Sequence, residues 1–389
     1  MTNENSTGRT HHHLLMRIIG SMLWGATDNA NLVENLTRDA IIPVSNLAKK
    51  HDLAHIVARF ISQNGIDVDP TLNDKLQRED YLAAYRNRQM GHTYGEICSA
   101  FDEAGIDYLP LKGSVIRPFY PYESMRTSCD IDILVKEGDV DAAVACLVAR
   151  GYTAGERNYH DVSVYSPSKI HLELHFSILE NIDSLDSVLA DVWKYAKVGA
   201  GHRYELSPEF LYYHFTAHMA YHFLAGGCGI KSLMDLWILE HKMGLKVENA
   251  KELLEKGGIY KFALQMQEIA NKCFAGEGLD EFSEKIFGYI CGGGVYGNAE
   301  NKIAVHRREN KGTLSYIIYR LFPPYRVIVH SYPVLKKAPI LLPFCWVARW
   351  IKALFKGKAS TLASQVSVSA GLADEKIKEV GDICTRLGL

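Results

Sequence analysis

The feature that most constrains the fold is a change in the spacing of apolar residues along the chain. Apolar side chains recur at helical spacing in the first hundred residues, as in the run from Leu47 to Ile61 before Gly65. Between residues 105 and 176 the repeat shortens to two, the period of a β-strand. Helical spacing returns at Ser207, a predicted N-cap, with Pro208 at the first helical position. We therefore expect an α+β protein.

Four short runs within the middle segment predict its strands. The first, at 106–111, is apolar, and the second, at 129–135, alternates Asp with Ile and Leu. Two more alternating runs, at 160–165 and 170–176, flank a turn that contains Pro167. A helix is predicted at 137–150, and another from about Arg78 to Ala104. We expect a helical region at 1–104, a mixed-sheet catalytic module at 105–206 and a helical region at 207–389.

Length and charge exclude several classes of protein. A chain of 389 residues fits two or three domains. The net charge of -2 and pI near 6.8 provide no overall field that would attract nucleic acid, so a polynucleotide partner is not implied. The 8 cysteines form no C-x-x-C pair, which disfavours a zinc ribbon and suits a cytoplasmic protein with reduced thiols. Arg17 interrupts the apolar stretch near the N-terminus, which is therefore expected to begin a helix rather than a signal peptide.

Asp130 and Asp132 lie two residues apart in the second predicted strand. Because successive side chains of a strand alternate between its faces, both carboxylates point one way and Ile131 and Ile133 point the other. Two oxygen donors on one face are suitable ligands for a hard divalent ion such as magnesium. A solvated strand face would give the same pattern, so this motif needs support from others.

The sequence Lys112-Gly113-Ser114 follows the first predicted strand directly. Glycine permits close approach of the backbone, and a hydroxyl with exposed N–H groups at a helix start can bind phosphate. Lys112 and, further along, Arg126 are candidate cations for phosphate charge. A plain strand-to-helix turn and solvated surface charges are the alternatives.

The fourth predicted strand places His171, Glu173 and His175 on one face. If this strand neighbours the strand of Asp130 and Asp132, Glu173 completes a cluster of three carboxylates. The same face offers a rival interpretation as a zinc site with His171, Glu173 and His175 as ligands.

The strand, turn, Asp-x-Asp and later acidic residue together resemble the polymerase-β-type nucleotidyltransferase superfamily. The chain is most similar to the bacterial family called uncharacterised nucleotidyltransferase family 5. The residues that carry this similarity cover most of the chain: Gly105-Ile106, Leu111-Lys112-Gly113, Arg126, Asp130 to Val135, Gly151-Tyr152, Leu172 to His175, His218, His222, Asp235, Tyr332-Pro333 and Leu341 to Pro343.

The resemblance implies magnesium-dependent transfer of a nucleotidyl group from a nucleoside triphosphate to an unidentified hydroxyl or amine, with release of pyrophosphate. Asp130, Asp132 and Glu173 are implied as catalytic residues and metal ligands, and two magnesium ions are expected. The long stretch 117–126 departs from the superfamily pattern and leaves open how turn and carboxylates meet. A nucleotide- or partner-binding protein on the same fold, without catalysis, is the alternative function.

A second wall of the site is expected from the helix that follows Ser207. His214, His218 and His222 are four residues apart and share a helix face, where they could bind substrate or accept a proton. Lys231 and Asp235, one turn apart, are candidates for the same wall. A packed helix with hydrogen-bonded histidines is the alternative.

Two other segments give weaker signals. Residues 292–297 match G-x-G-x-x-G, but they follow a helical stretch rather than a strand, so we reject a dinucleotide site. Residues 338–356 are the most hydrophobic stretch, with Trp346, Trp350 and several nearby lysines. Pro343 and Arg349 argue against a spanning helix. Core packing is the first interpretation, and weak contact with a membrane surface is the second.

Overall fold

The computed structural model describes residues 2–26, 29–309, 313–329, 331–355, 368 and 371–389. Helices dominate both ends of the chain, and strands are confined to its middle. The helices before the sheet module are α1 (Thr2–Trp24), α2 (Ala30–Asn35), α3 (Arg38–Lys50), α4 (Ala54–Gln63) and α5 (Pro70–Ala104). Within the module lie α6 (Gly113–Ile116), α7 (Val140–Val148) and α8 (Asp183–Leu189).

The helices after the module form the longest part of the described chain. They are α9 (Pro208–Leu224), α10 (Gly229–His241), α11 (Lys251–Lys256), α12 (Tyr260–Ala275), α13 (Glu281–Gly293), α14 (Ala299–Glu309), α15 (Thr313–Leu321), α16 (Tyr325–Ile328), α17 (Val334–Lys337), α18 (Leu342–Phe355) and α19 (Asp374–Leu387). Short 3-10 turns lie at Arg117–Phe119, Glu123–Met125, Glu137–Asp139, Val192–Tyr195, Val247–Ala250 and Pro339–Leu341.

The sheet is mixed in direction, as the sequence predicted, but it has five strands rather than the four predicted. Its strands are β1 (Tyr108–Pro110), β2 (Asp130–Val135), β3 (Thr153–Arg157), β4 (Asp161–Tyr165) and β5 (His171–His175), in the spatial order β1-β2-β5-β4-β3. Only the central pair, β2 with β5, is parallel. A separate hairpin consists of β6 (Ala196–Val198) and β7 (Tyr204–Leu206).

The two faces of the sheet differ in chemistry because β2, β4 and β5 all alternate polar and apolar residues in register. One face carries apolar side chains that form a buried cluster with α5 and α7, among them Ile131, Ile133, Val162, Val164, Leu172 and Leu174. The opposite face carries Asp130 and Asp132 beside His171, Glu173 and His175. The apolar face fixes the sheet against its helices, and the polar face is left for the site.

Helix boundaries differ from the sequence expectation in two places. Helix α5 begins at Pro70 rather than near Arg78, because the Asp69 carboxylate accepts bonds from Thr71 and Leu72 N–H and caps a helix that starts with proline. The apolar run from Leu47 to Ile61 is two helices, since Asp52 has a left-handed φ of 57° between them. Gly105, with φ of 67°, ends α5 as predicted.

The helices on both sides of the sheet module share one buried cluster. It contains Leu15 and Ile19 from α1, Phe210 and Tyr213 from α9, and Trp237 from α10. Strands β3, β6 and β7 were not predicted. Every residue of β3 is exposed, and the strand shows no alternation of polar and apolar residues. The hairpin strands β6 and β7 have only three residues each. Among the residues that the structure describes, no helix is both long and apolar enough to cross a membrane.

Candidate active site

A cavity of about 370 Å³ lies between the polar face of the sheet and helices α9 and α10. Twelve of the residues singled out from the sequence line it: Lys112, Gly113, Arg126, Asp130, Asp132, Glu173, His175, His214, His218, His222, Lys231 and Asp235. Ser114 is absent from the lining and lies in α6, behind Gly113. Residues far apart in sequence thus converge on one cavity, which has a wall of strands and a wall of helices.

The strand wall consists of Asp130, Asp132, Glu173 and His175. In the parallel pair of β2 and β5, Asp132 lies opposite Glu173 and Asp130 lies opposite His171. The condition set by the sequence, that the two strands be neighbours, is therefore met. Among the described residues, three groups have ligand atoms within 4.8 Å of one another, and two of them contain the acids of this wall: Asp130, His171 and Glu173 in one, and Asp132, Glu173 and His175 in the other. The third consists of His160, Asp161 and His175. Glu173 is common to the first two groups.

The two aspartates of the strand wall differ in their surroundings. Burial, together with repulsion from Asp132 and Glu173, raises the pKa of Asp130 to about 6. Burial would also raise the pKa of Asp132, but Lys112 and His175 outweigh it and hold that pKa well below its usual range. The charge of Asp132 is therefore compensated by cations of the protein, whereas Asp130 bears excess negative charge that a bound cation would compensate.

Lys112 and His175 are the two cations that contact Asp132. Lys112 Nζ donates to Asp132 Oδ1 at 3.0 Å, and His175 Nε2 lies 3.0 Å from the same oxygen. Burial lowers the pKa of His175, but its bonds to Asp132 and Glu173 dominate and raise it to about 9. His175 was considered from sequence only as a zinc ligand, whereas its closest contact here is to a carboxylate.

The turn at Lys112 has the backbone geometry of a constrained position. Lys112 itself has φ of 44°, which side-chain-bearing residues rarely adopt. Leu111 N–H donates to Asp132 O at 3.0 Å, which fixes the turn beside β2. The N–H groups of Ser114 and Val115 donate to the carbonyls of Leu111 and Lys112, so these amides are bonded within the turn rather than exposed as expected.

The long stretch 117–126 folds back so that turn and carboxylates meet. It contains two short 3-10 turns, and buried Arg117 joins its two ends. Arg117 Nε donates to Arg126 O at 3.1 Å, and its Nη2 donates to Ser128 Oγ at 2.8 Å. Ser128 Oγ in turn donates to Asp130 O at 2.9 Å. The insertion therefore positions the start of β2 instead of separating it from the turn.

Arg126 forms a bidentate ion pair with Asp235 across the cavity. Its Nε and Nη2 donate to the Asp235 carboxylate at 2.7 Å and 2.8 Å, and Tyr120 OH donates to Asp235 Oδ1 at 2.6 Å. The side chains of Arg126 and Asp235 are only 13% and 6% exposed. Two residues that the sequence placed on separate substrates thus bind each other, and they link the sheet module to α10.

The helix wall consists of His214, His218, His222, Lys231 and Asp235. His218 Nδ1 lies 2.8 Å from Glu180 Oε1, and its Nε2 lies 3.1 Å from His222 Nε2. Burial lowers the pKa of His218 well below its usual value and, with His218 as neighbour, lowers that of His222 to about 3. The imidazoles are therefore neutral at pH 7, and a carboxylate and two histidines form a hydrogen-bonded chain along the wall.

Lys231, the lysine of the helix wall, also has a carboxylate partner within the protein. Its Nζ donates to Asp52 Oδ2 at 3.0 Å and approaches Thr127 O and Oγ1 at 3.4 Å. Asp52 occupies the break between α3 and α4, so the N-terminal helices reach the rim of the site. As with Arg126, the charge of Lys231 is compensated by a carboxylate of the protein.

Several lining residues were missed by the sequence reasoning. Glu180, Tyr159 and Tyr221 carry no motif, and no local pattern would have indicated them. Val295 and Tyr296 belong to the glycine-rich 292–297 segment. That segment packs backbone to backbone on Gly226 and Gly227, since a Cβ at position 297 would lie 2.3 Å from the Gly226 carbonyl carbon. Its glycines therefore serve helix packing, which brings Tyr296 to the cavity.

Comparison with known protein families identifies a match. A family model described as an uncharacterised nucleotidyltransferase matches residues 43–275, more than half of the chain. The match includes both walls of the cavity and ends before the resemblance noted at Tyr332-Pro333 and Leu341 to Pro343. No curated protein and no solved structure matches. The chain belongs to the uncharacterised nucleotidyltransferase family, with a general role in nucleotidyl transfer.

Proposed function

We propose that this protein is a magnesium-dependent nucleotidyltransferase that moves a nucleoside monophosphate from a nucleoside triphosphate to a hydroxyl or amine acceptor and releases pyrophosphate. The observation that carries the proposal is the pairing of Asp132 with Glu173 on adjacent parallel strands, with Asp130 on the same face. It concentrates three carboxylates at one wall of a cavity that is large enough for a small-molecule substrate.

The metal would be held by Asp130, Asp132 and Glu173. Their oxygen donors suit magnesium. The raised pKa of Asp130 reflects burial and repulsion from Asp132 and Glu173, and a divalent cation would offset that repulsion. Two magnesium ions, when bound, supply charge neutralisation of the triphosphate and of the attacking oxygen. His171 and His175 also lie beside these acids, so zinc is the competing metal at this site.

The triphosphate is assigned to the side of the cavity that carries Lys112, Gly113, Ser114 and Arg126. Lys112 Nζ, at 3.0 Å from Asp132, lies where one cation can contact both a metal ligand and a phosphate oxygen. Arg126 lines the cavity, with Nε and Nη2 held by Asp235 and Nη1 donating to Thr127 O at 2.8 Å. Gly113 lines the cavity directly, and Ser114 supports the turn behind it.

The acceptor is assigned to the helix wall. His218 and His222 are neutral at pH 7, so this pair can accept a hydrogen bond from an acceptor hydroxyl or amine, although their lowered pKa values make them weak bases. Glu180 orients His218 by its contact with Nδ1. Lys231 and Asp235 hold Thr127 and Arg126 at the same wall, and we assign them to substrate binding through these contacts.

The test is calorimetry of the purified protein with magnesium and each triphosphate, followed by measurement of pyrophosphate release with a broad acceptor panel. Asp130→Asn should reduce release at least 100-fold, and Lys112→Ala should weaken triphosphate binding by roughly tenfold or more. Glu137→Gln, which removes an exposed carboxylate in the same module, is the matched control and should behave as the parent.

The outcomes separate the alternatives. Triphosphate binding without turnover across the panel would favour a nucleotide-binding protein that has lost catalysis. Stoichiometric zinc in the purified protein, lost on substitution of His171 or His175, would favour the zinc site. Equal binding and release by the parent and by Asp130→Asn would overturn the proposal.

A further inference from the structure

The C-terminal helices α15 and α18 present several large apolar side chains outward. On α18, Phe344 is 71% exposed, and Val347 and Ile351, which share its helix face, are 47% and 49% exposed. Just before this helix, Ile340 is 85% exposed, and on α15 Leu314 is 71% exposed. Large apolar side chains that are exposed along one face of a helix often mark an interaction surface.

The opposite face of α18 is the polar one, and it is already satisfied by the protein. Trp346 Nε1 and Trp350 Nε1 each donate to a backbone carbonyl near the end of α15, at Pro323 and Leu321, at 2.9 Å. Arg349 Nη1 donates to Arg320 O at 3.0 Å. Cys345 is buried in a small cluster with Ile328, Val329 and Leu335. The rotation of α18 is thus fixed by its inward contacts, and the apolar face cannot turn inward without breaking them.

The charge around this surface has a single sign. Residues 310–373 contain nine of the 43 Lys and Arg and none of the 45 Asp and Glu. Lys336 and Lys337 are exposed directly before Ile340, and Lys352 is exposed beside Ile351. Lys356, one of the basic residues noted from the sequence, lies outside the described residues. The strong local excess of positive charge contrasts with a chain whose net charge is -2.

We propose that the surface formed by α15, residues 336–341 and α18, the C-terminal surface, binds the interface of an anionic lipid bilayer. Exposed aliphatic and aromatic side chains enter the headgroup boundary, while the flanking lysines contact acidic headgroups. A polynucleotide would satisfy the charge but not the apolar side chains, which have no hydrogen-bonding role on a phosphate backbone. Binding of this kind needs no helix that crosses the bilayer.

The test is co-sedimentation of the full chain with phosphatidylcholine vesicles that do or do not contain 30% phosphatidylglycerol. We expect binding only to the acidic vesicles, weakened by salt. Lys336→Gln/Lys337→Gln should lower the partition coefficient roughly fivefold per lysine, since each lysine near such a surface contributes a similar factor. Phe344→Ser/Ile351→Ser should lower it by roughly tenfold or more.

Val198→Ser is the matched apolar control, because Val198 is 64% exposed on the β6–β7 hairpin, away from this surface. Thermal melting verifies that each variant folds. If the apolar variant fails to fold, the lysine variant, which changes only exposed side chains, still tests the proposal. No binding to acidic vesicles, or equal losses in Val198→Ser, would overturn the proposal. So would a parent that is dimeric by sedimentation and becomes monomeric in Phe344→Ser/Ile351→Ser, because a second copy would then cover the surface.

Discussion

The strand wall and the helix wall face each other across one cavity, but they differ in how far their charges are compensated by charges of the protein. On the helix wall both Lys231 and Asp235 have a partner of opposite charge within 3.0 Å. On the strand wall three carboxylates share Lys112 and His175, and both of these cations contact Asp132. The helix wall is thus compensated internally, whereas the strand wall retains negative charge around Asp130.

This difference indicates how the two walls contribute to function. An internally paired charge positions the side chains and backbone around it, because its partner is fixed. An uncompensated carboxylate in a buried position is costly, and it is retained at sites where a ligand or metal supplies the missing charge. We therefore expect removal of an uncompensated carboxylate to affect catalysis, and removal of an internally paired charge to lower stability on either wall.

The largest effect is expected for the two aspartates of the strand wall. Asp130→Asn and Asp132→Asn should each reduce pyrophosphate release by at least 100-fold, because both remove a proposed metal ligand. Their stabilities should differ. Asp130→Asn relieves repulsion and should leave the metal-free protein as stable as the parent or slightly more so. Asp132→Asn leaves Lys112 and His175 without their shared carboxylate and should cost roughly 3 kcal/mol.

Urea denaturation without metal measures these free energies of unfolding, and the parent alone should gain stability when magnesium and triphosphate are added. Equal stability losses in the two variants would remove the distinction drawn between Asp130 and Asp132. A parent that magnesium and triphosphate fail to stabilise would count against the metal assignment itself.

The second effect concerns the ion pair that joins the helix wall to the sheet module. Asp235→Asn leaves the buried Arg126 guanidinium without its charge partner, so we expect a loss of roughly 3 kcal/mol in the free energy of unfolding. Asp141→Asn breaks the exposed pair with Arg157 and should change stability by less than about 0.5 kcal/mol. The Arg126→Met/Asp235→Asn double variant should be more stable than the sum of the single losses implies. Additive losses would show that the pair is not coupled.

The smallest effect is the response of the helix wall to pH. The pKa of His222 is lowered to about 3 in the folded protein by burial and by His218. A histidine with a lowered pKa contributes stability above its unfolded value, near 6.5, and that stability is lost as the pH falls below it. Because His222 is partly exposed, we expect it to account for about 1 kcal/mol of the decrease in unfolding free energy between pH 7 and pH 5.

His222→Gln should therefore flatten the decline of unfolding free energy between pH 7 and pH 5, measured by denaturation at several pH values. His92→Gln, which replaces a histidine that is 78% exposed on α5, should leave the decline unchanged. A parent whose stability is constant over this range would contradict the neutral state assigned to the helix wall.

The strand wall was predictable because its signal is local. A period of two places Asp130 with Asp132, and Glu173 with His175, on single faces whatever the rest of the chain does. The helix wall was predictable only in part. The spacing of His214, His218 and His222 gave the shared face, but the partners Glu180 and Asp52 lie 38 and 179 residues from the side chains they contact. The spacing of residues along the sequence does not indicate such long-range contacts.

The sequence by itself determined the α+β class, the strands that carry the acidic residues and the face on which each acid lies, because alternation and turn residues act over a few neighbours. Only the tertiary structure decided that β2 pairs with β5 in parallel, that Arg126 binds Asp235, and that the 292–297 glycines pack on Gly226 and Gly227. These outcomes depend on which distant segments share a core and on where a buried charge finds its partner, and neither is encoded in local periodicity.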